Sequence, residues 1–100
     1  YMRPNFWPNT PDINPFHLQG ANESKYLQRY VLAALLSSNT GIYGPVFEYM
    51  MSDALPGKEE YLNSEKFQIV NYDWTKENWI INIISKIIQS LYSFRIARLV

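Results

Sequence analysis

Barrel enzymes hold catalytic carboxylates just beyond the ends of strands, and Asp12 has that setting in the run Arg3-Pro4-Asn5-Phe6-Trp7-Pro8-Asn9-Thr10-Pro11-Asp12-Ile13. Taken by itself, Asn9-Thr10-Pro11-Asp12 is equally an ordinary turn, since Asn, Pro and Asp each favour turn geometry. Both readings of Asp12 stand at this point. Two acids can divide acid and base duties when their surroundings differ, which brings Glu48 and the pair Glu59-Glu60 into view. Adjacent glutamates point apart in extended chain, and nothing beside them supplies the apolar pocket that would raise one pKa, so an acid/base role is rejected. His17 has no Ser, Cys or second His placed to form a triad or a metal site, and it reads as a loop histidine. The chain has no Cys, which excludes disulfides and thiolate metal ligation, and no cofactor is implied. Trp7, Tyr43, Tyr61 and Trp74 could each stack on a sugar ring or pack in a core. Tyr43 and Trp74 lie beside strand- or helix-forming runs and read as packing, whereas Trp7, close ahead of Asp12, is the better candidate for stacking.

The elements that hold these residues can be read from pattern. Four of the six prolines fall within residues 1–15, which excludes a long helix there and leaves a short strand or an extended loop. Asn22 is a good helix N-cap, Glu23 suits the positive helix end, and apolar residues recur at Tyr26, Leu27, Tyr30, Val31, Ala34 and Leu35. This helix should run to Ser37 or Ser38 with Gln28 and Arg29 facing outward. Asn39-Thr40-Gly41 breaks it, and Ile42-Tyr43 follows as a short buried strand cut off by Gly44-Pro45. From Val46 to Tyr72 the period is lost, as in a long functional connection. Thr75 or Asp73 can then cap a last helix reaching Arg95 or beyond, with Ile80, Ile81, Ile84, Ile87, Ile88 and Leu91 on one side and Asn82, Ser85, Lys86, Gln89 and Ser93 on the other.

Strand, helix, short strand, long loop, helix is the order of two successive βα units. Nine basic and nine acidic residues cancel, so no broad positive field exists to attract nucleic acid or anionic lipid. The most apolar stretch, Trp79 to Tyr92, carries Asn82, Ser85, Lys86 and Gln89 and is shorter than the ~20 residues of a membrane span, so a buried soluble helix is expected and no membrane partner. No charged segment followed by an apolar one opens the chain, a cytoplasmic location is expected, and both ends read as cuts through a longer protein.

Four segments, in order, resemble one enzyme family. Asn9-Thr10-Pro11-Asp12-Ile13 is similar to the end of the seventh barrel strand in the α-1,4-glucan:maltose-1-phosphate maltosyltransferases, members of glycoside hydrolase family thirteen within the α-amylase superfamily. Gly41-Ile42-Tyr43-Gly44, with Phe47-Glu48 beyond it, resembles the eighth strand and its exit loop. The run Glu59-Glu60-Tyr61-Leu62-Asn63-Ser64-Glu65-Lys66-Phe67-Gln68-Ile69 resembles the family signature Glu-Glu-Tyr-Leu-(Asp/Asn)-Ser-Glu-Lys-Tyr-Glu-Ile, and Asp73-Trp74 matches an Asp-Trp ahead of a last helix.

The resemblance implies a fold, a reaction and site residues. The expected class is α/β, with residues 1–100 forming the last two βα units of an incomplete (β/α)8 TIM barrel, undivided and C-terminal in the catalytic domain. The parent would transfer maltosyl units from maltose 1-phosphate to an α-1,4-glucan with retention. Asp12 matches the carboxylate that grips sugar hydroxyls and stabilises the oxocarbenium-like transition state. The nucleophile and general acid would lie upstream of Tyr1, which makes the fragment inactive alone. Lys66 matches a phosphate-binding lysine, and its compact charge suits that role. Phe67 stands where the family has Tyr, so a phenolic donor is lost and a different donor becomes an alternative. An amylase-like hydrolase or transglycosylase is one such alternative. A non-catalytic helical interaction module, supported by the apolar last helix, is another. A complete barrel takes about 250 residues, so the isolated piece is expected to self-associate or to rearrange into a mainly helical packing.

Overall fold

The structure, a computed structural model, describes residues 2–76 and 79–99. The prolines near the start keep the chain extended, and only Asn5–Phe6 forms a strand, β1. Asn22, in extended backbone, then accepts the Lys25 N–H on its side-chain oxygen at 3.2 Å. That bond satisfies one of the donors a helix start leaves unpaired, and helix α1 follows over Glu23–Leu36. Tyr26, Tyr30, Ala33 and Ala34 form its buried face. Leu35, expected on that face, is 60% exposed, and Arg29, expected outward, turns back so that its Nε donates to the Pro8 carbonyl at 2.7 Å.

α1 is the crossover of a parallel βαβ unit. β2, Asn39–Thr40, pairs with β1 in parallel, with Asn5 opposite Asn39 and Phe6 opposite Thr40. The strand therefore falls ahead of Ile42-Tyr43, where the apolar pair had suggested it. Gly41 explains the difference. Its N–H makes the last bond toward β1, to the Phe6 carbonyl at 3.0 Å, while the Trp7 ring lies so close over its backbone that any Cβ there would overlap ring atoms. Gly41→Ala is accordingly expected to cost about 1–3 kcal/mol by overpacking, with Trp7 forced off its seat. Denaturant unfolding together with a red-shifted tryptophan emission would register both effects.

Beyond Gly41 the chain enters a second helix, α2, over Gly44–Glu48, in the stretch expected to be irregular. Gly44-Pro45 had read as a strand breaker. Within the first helical turn, however, a missing N–H is no loss, and Pro45 starts α2. α2 ends in a Schellman arrangement: Met51 N–H reaches the Val46 carbonyl at 2.9 Å, Met50 N–H reaches that of Phe47 at 3.1 Å, and Met50 takes a left-handed φ of 52°. Val46 and Phe47 point inward.

Helix α3 spans Trp79–Leu99. Ile80 and Ile84 are buried, Ile87 and Leu91 pack against the core, and Ile81 and Ile88 are 37% and 49% exposed. α3 therefore buries one stripe rather than its whole apolar side. The core joins Leu18, Tyr26, Tyr30, Ala34, Phe47, Ile80 and Ile84. Asp73 caps a local turn, accepting the N–H and the hydroxyl of Thr75 at 3.0 and 2.6 Å, which holds its carboxyl below the usual range. The junction from that turn to α3 runs through residues 77–78, outside the described residues. Among the described residues no helix is long and apolar enough to cross a membrane.

Candidate functional site

The long connection after α2 is built rather than loose. Leu55-Pro56-Gly57-Lys58 is a tight turn closed by Lys58 N–H on the Leu55 carbonyl at 3.1 Å, with Gly57 at φ 71° supplying the positive angle such a turn needs after Pro. Leu55 N–H to Glu60 O at 3.0 Å and Leu62 N–H to Asp53 O at 2.9 Å zip the two arms together.

Two buried asparagines bolt this loop to the segment carrying Asp12. Asn14, almost fully buried, donates from Nδ2 to the Ser52 carbonyl at 2.9 Å and from its backbone N–H to the Glu59 carbonyl at 3.0 Å. Gln19 bridges the Asn14 and Lys58 carbonyls at 3.0 and 2.9 Å. Asn9 accepts Tyr43 N–H on Oδ1 at 3.1 Å and donates to the Tyr61 hydroxyl at 3.2 Å, which in turn donates to the Ile13 carbonyl at 3.2 Å. A buried amide left unpaired costs about 1–3 kcal/mol, so these bonds fix the register of the loop. Between the two asparagines, Thr10 and Ile13 close a small turn through Ile13 N–H on Thr10 Oγ1 at 3.0 Å, with Asp12 at its tip.

The consequence is a contact between residues far apart in sequence. Asp12 Oδ1 pairs with Lys66 Nζ, and Asp12, Glu60, Tyr61, Lys66 and Phe67 line a common cavity of about 130 Å³. Both charges remain solvated, Asp12 at 72% and Lys66 at 41% exposure. The Phe67 ring stands 87% exposed. Trp7 does not join them: seated on Gly41, it borders a different depression, with Arg29, Leu32 and Leu36. Of the rejected acids, Glu59 is structural, its Oε1 accepting Phe16 N–H at 3.0 Å, while Glu60 borders the Asp12 cavity. His17 is exposed on a single 3-10 turn, Phe16–Leu18, whose Leu18 is buried. Among the described residues no three His, Asp or Glu side chains come together as a metal-ligand set.

Pattern reading passed over the residue beside Lys66. Glu65 accepts Tyr43 Oη on Oε2 at 2.5 Å and Tyr72 Oη on Oε1 at 2.8 Å. Burial and then the bond to Glu65 push both phenols up, Tyr72 to about 12. Burial likewise pushes Tyr61 up to about 12, opposed by its bond from Asn9. All three stay protonated near neutral pH. Tyr43 packs edge-on against Tyr61, as its packing reading had it, and Trp74 leans edge-on against Tyr72 while remaining 72% exposed. No local sequence signal marks the Tyr43–Glu65–Tyr72 bridge, because its three members lie on separate stretches of chain.

An ammonium beside a carboxylate, in a cavity of mixed polar and apolar lining, can hold an anion and a polyol at once. Comparison with known proteins specifies which kind of enzyme carries such a segment. No family model matches the chain. A Methylacidiphilum infernorum protein named alpha-1,4-glucan:maltose-1-phosphate maltosyltransferase is 53% identical over 88 residues, covering 87% of this chain and 13% of that protein. The chain belongs to that maltosyltransferase family. Maltosyltransferases of the same name from Chlorobaculum tepidum and Rhodospirillum rubrum are 59% identical over 73 residues and 51% identical over 87 residues. Those matches cover 73% and 87% of this chain, and 11% and 12% of the relatives. The chain thus spans about an eighth of the length of these maltosyltransferases. A match over 87% of 100 residues includes residues 14–87 wherever it begins, so the maltosyltransferase likeness takes in α1, β2, α2 and the bolted loop with Glu65 and Lys66.

Proposed function

We propose that this chain forms one wall of the active site of an enzyme that moves a maltosyl unit from maltose 1-phosphate to the non-reducing end of an α-1,4-glucan, releasing phosphate with retention of configuration. The observation that carries the proposal is the meeting of Asp12 and Lys66 at one cavity. In this reading Asp12 accepts hydrogen bonds from two sugar hydroxyls, bonds that strengthen as the ring flattens and positive charge builds at the anomeric carbon. Lys66 meets the phosphate of the donor. An exposed ion pair is worth only about 0.2–1 kcal/mol, so an arriving donor can part the two charges at small cost and satisfy each separately.

The nucleophilic Asp and the acid Glu of such a displacement belong, in this proposal, to other βα units of a (β/α)8 barrel of glycoside hydrolase family thirteen, and the present residues are inactive without them. Support comes from the parallel β1-α1-β2 unit and from Leu32, Leu35 and Leu36, which leave an apolar strip of α1 at 52%, 60% and 67% exposure for neighbouring units to cover. Trp7 keeps the role of a sugar contact only through the 43% of its surface that stays open beside that strip.

The decisive assay gives the full-length enzyme maltose 1-phosphate and a short maltooligosaccharide. Elongation with phosphate release is the expected result, and hydrolysis alone would favour the alternative of an amylase-like enzyme with another donor, which the exposed Phe67 suits. In the same assay Lys66→Ala is expected to raise the donor KM by about 10–100-fold, the loss of one charge-assisted hydrogen bond of about 1.5–3 kcal/mol.

A further inference from the structure

We infer that Glu65 is a positioning residue for Lys66, held by the Tyr43 and Tyr72 hydroxyls, and that this bridge aims the lysine at the donor phosphate; the kinetic part of the inference rests on the function proposed above. Each carboxylate oxygen of Glu65 is taken by a different phenol, so the side chain cannot rotate without breaking a charge-assisted bond. Lys66 itself has a long flexible stem and, among the described residues, no side-chain bond beyond Asp12 that would orient it, while its backbone N–H rests on Ser64 Oγ at 3.3 Å. Fixing the preceding residue is the available way to fix where that stem begins.

The other end of the bridge leads back to Asp12. Tyr43 is anchored by its own N–H on Asn9 Oδ1 and by its ring against Tyr61, which also bonds Asn9 and Ile13 on either side of the Asp12 turn. Side-chain contacts from Asp12 to Lys66, from Glu65 to Tyr43 and from Tyr43 to Asn9, joined by the chain itself between Lys66 and Glu65 and between Asn9 and Asp12, thus set the two charged groups in one frame. Tyr72 braces the far oxygen, stacked in turn on Tyr49, whose hydroxyl donates to the Asp73 carbonyl at 2.7 Å. The phenols remain donors at working pH because burial and the carboxylate both oppose their ionisation.

The test compares Glu65→Ala, Glu65→Gln, the double variant Tyr43→Phe/Tyr72→Phe and Lys66→Ala in the full-length enzyme. Glu65→Ala and the double Phe variant are expected to raise the donor KM about tenfold with kcat changed less than about threefold, and Glu65→Gln, which can still bond both phenols, should recover most of the loss. Adding Glu65→Ala to Lys66→Ala should change nothing further, because a residue that acts through Lys66 has no effect once Lys66 is gone. Multiplying effects in that combination would overturn the inference. A crystal structure of Glu65→Ala separates it from the donor assignment: Lys66 displaced from Asp12 supports positioning, and Lys66 unmoved sinks it. A normal donor KM in Lys66→Ala would overturn the donor assignment instead, and the crystallographic comparison would still decide whether Glu65 places the lysine.

Discussion

With Asp12 replaced by Asn in the full-length enzyme, turnover is expected to fall by about 10²–10³-fold while the donor KM moves by less than about threefold. The two side chains have the same shape, so the turn held by Thr10 and Ile13 and flanked by the bolts at Asn9 and Asn14 has no reason to move. What changes is charge. An amide keeps one acceptor oxygen and presents an NH₂ where the second sugar hydroxyl would donate, and it offers nothing to the positive charge that develops at the anomeric carbon. The loss therefore appears in the transition state far more than in the ground state. Asn also removes the pairing with Lys66, but a solvated pair of this exposure contributes too little to account for such an effect. Steady-state kinetics with maltose 1-phosphate would measure it, and near-normal turnover would remove Asp12 from the reaction.

The largest effect on stability is expected at Phe47. Its side chain is fully buried, with ring centroids 5.0 Å from Tyr26 and 6.4 Å from Tyr30, and it is the point where α2 meets α1. Truncation to Ala should cost about 3–5 kcal/mol, a large part of the 5–15 kcal/mol typical of a domain. Thermal or denaturant unfolding would show it, and a cost below about 1 kcal/mol would mean that the ring does not hold α2 to α1. Since α2 leads directly out of Tyr43, the same substitution should also loosen the Glu65 bridge.

The two long helices were legible because periodicity is a local property. The Asn22 cap and the spacing of Tyr26, Tyr30 and Ala34 are written in adjacent turns, and so is the Ile80–Ile84–Ile87–Leu91 stripe of α3. β2 was misplaced because a parallel pair of two residues is held by backbone bonds, to which Asn39 and Thr40 contribute no apolar mark. The short α2 escaped notice because Gly44-Pro45 is ambiguous between ending a strand and opening a helix, and only the burial of Val46 and Phe47 chooses. At the site, its place after a strand marks Asp12 as one candidate among turn residues, and only family resemblance gives it and Lys66 their roles; no pattern connects the two. Asn9, Asn14 and Glu65 were beyond reach. A buried amide that clasps main-chain groups looks, in sequence, like any turn residue.

Several of the bonds that seat the Lys66 loop on the Asp12 segment end on main-chain carbonyls, those of Ser52, Lys58 and Glu59. A mount of that kind is indifferent to much of what it carries. Exposed loop residues such as Phe67 can be exchanged while the mount stays shut. On the function proposed above, the fold is thereby equipped to drift from one glycosyl donor to another through single replacements, with the anchoring asparagines as the fixed hardware and the loop as an interchangeable cartridge.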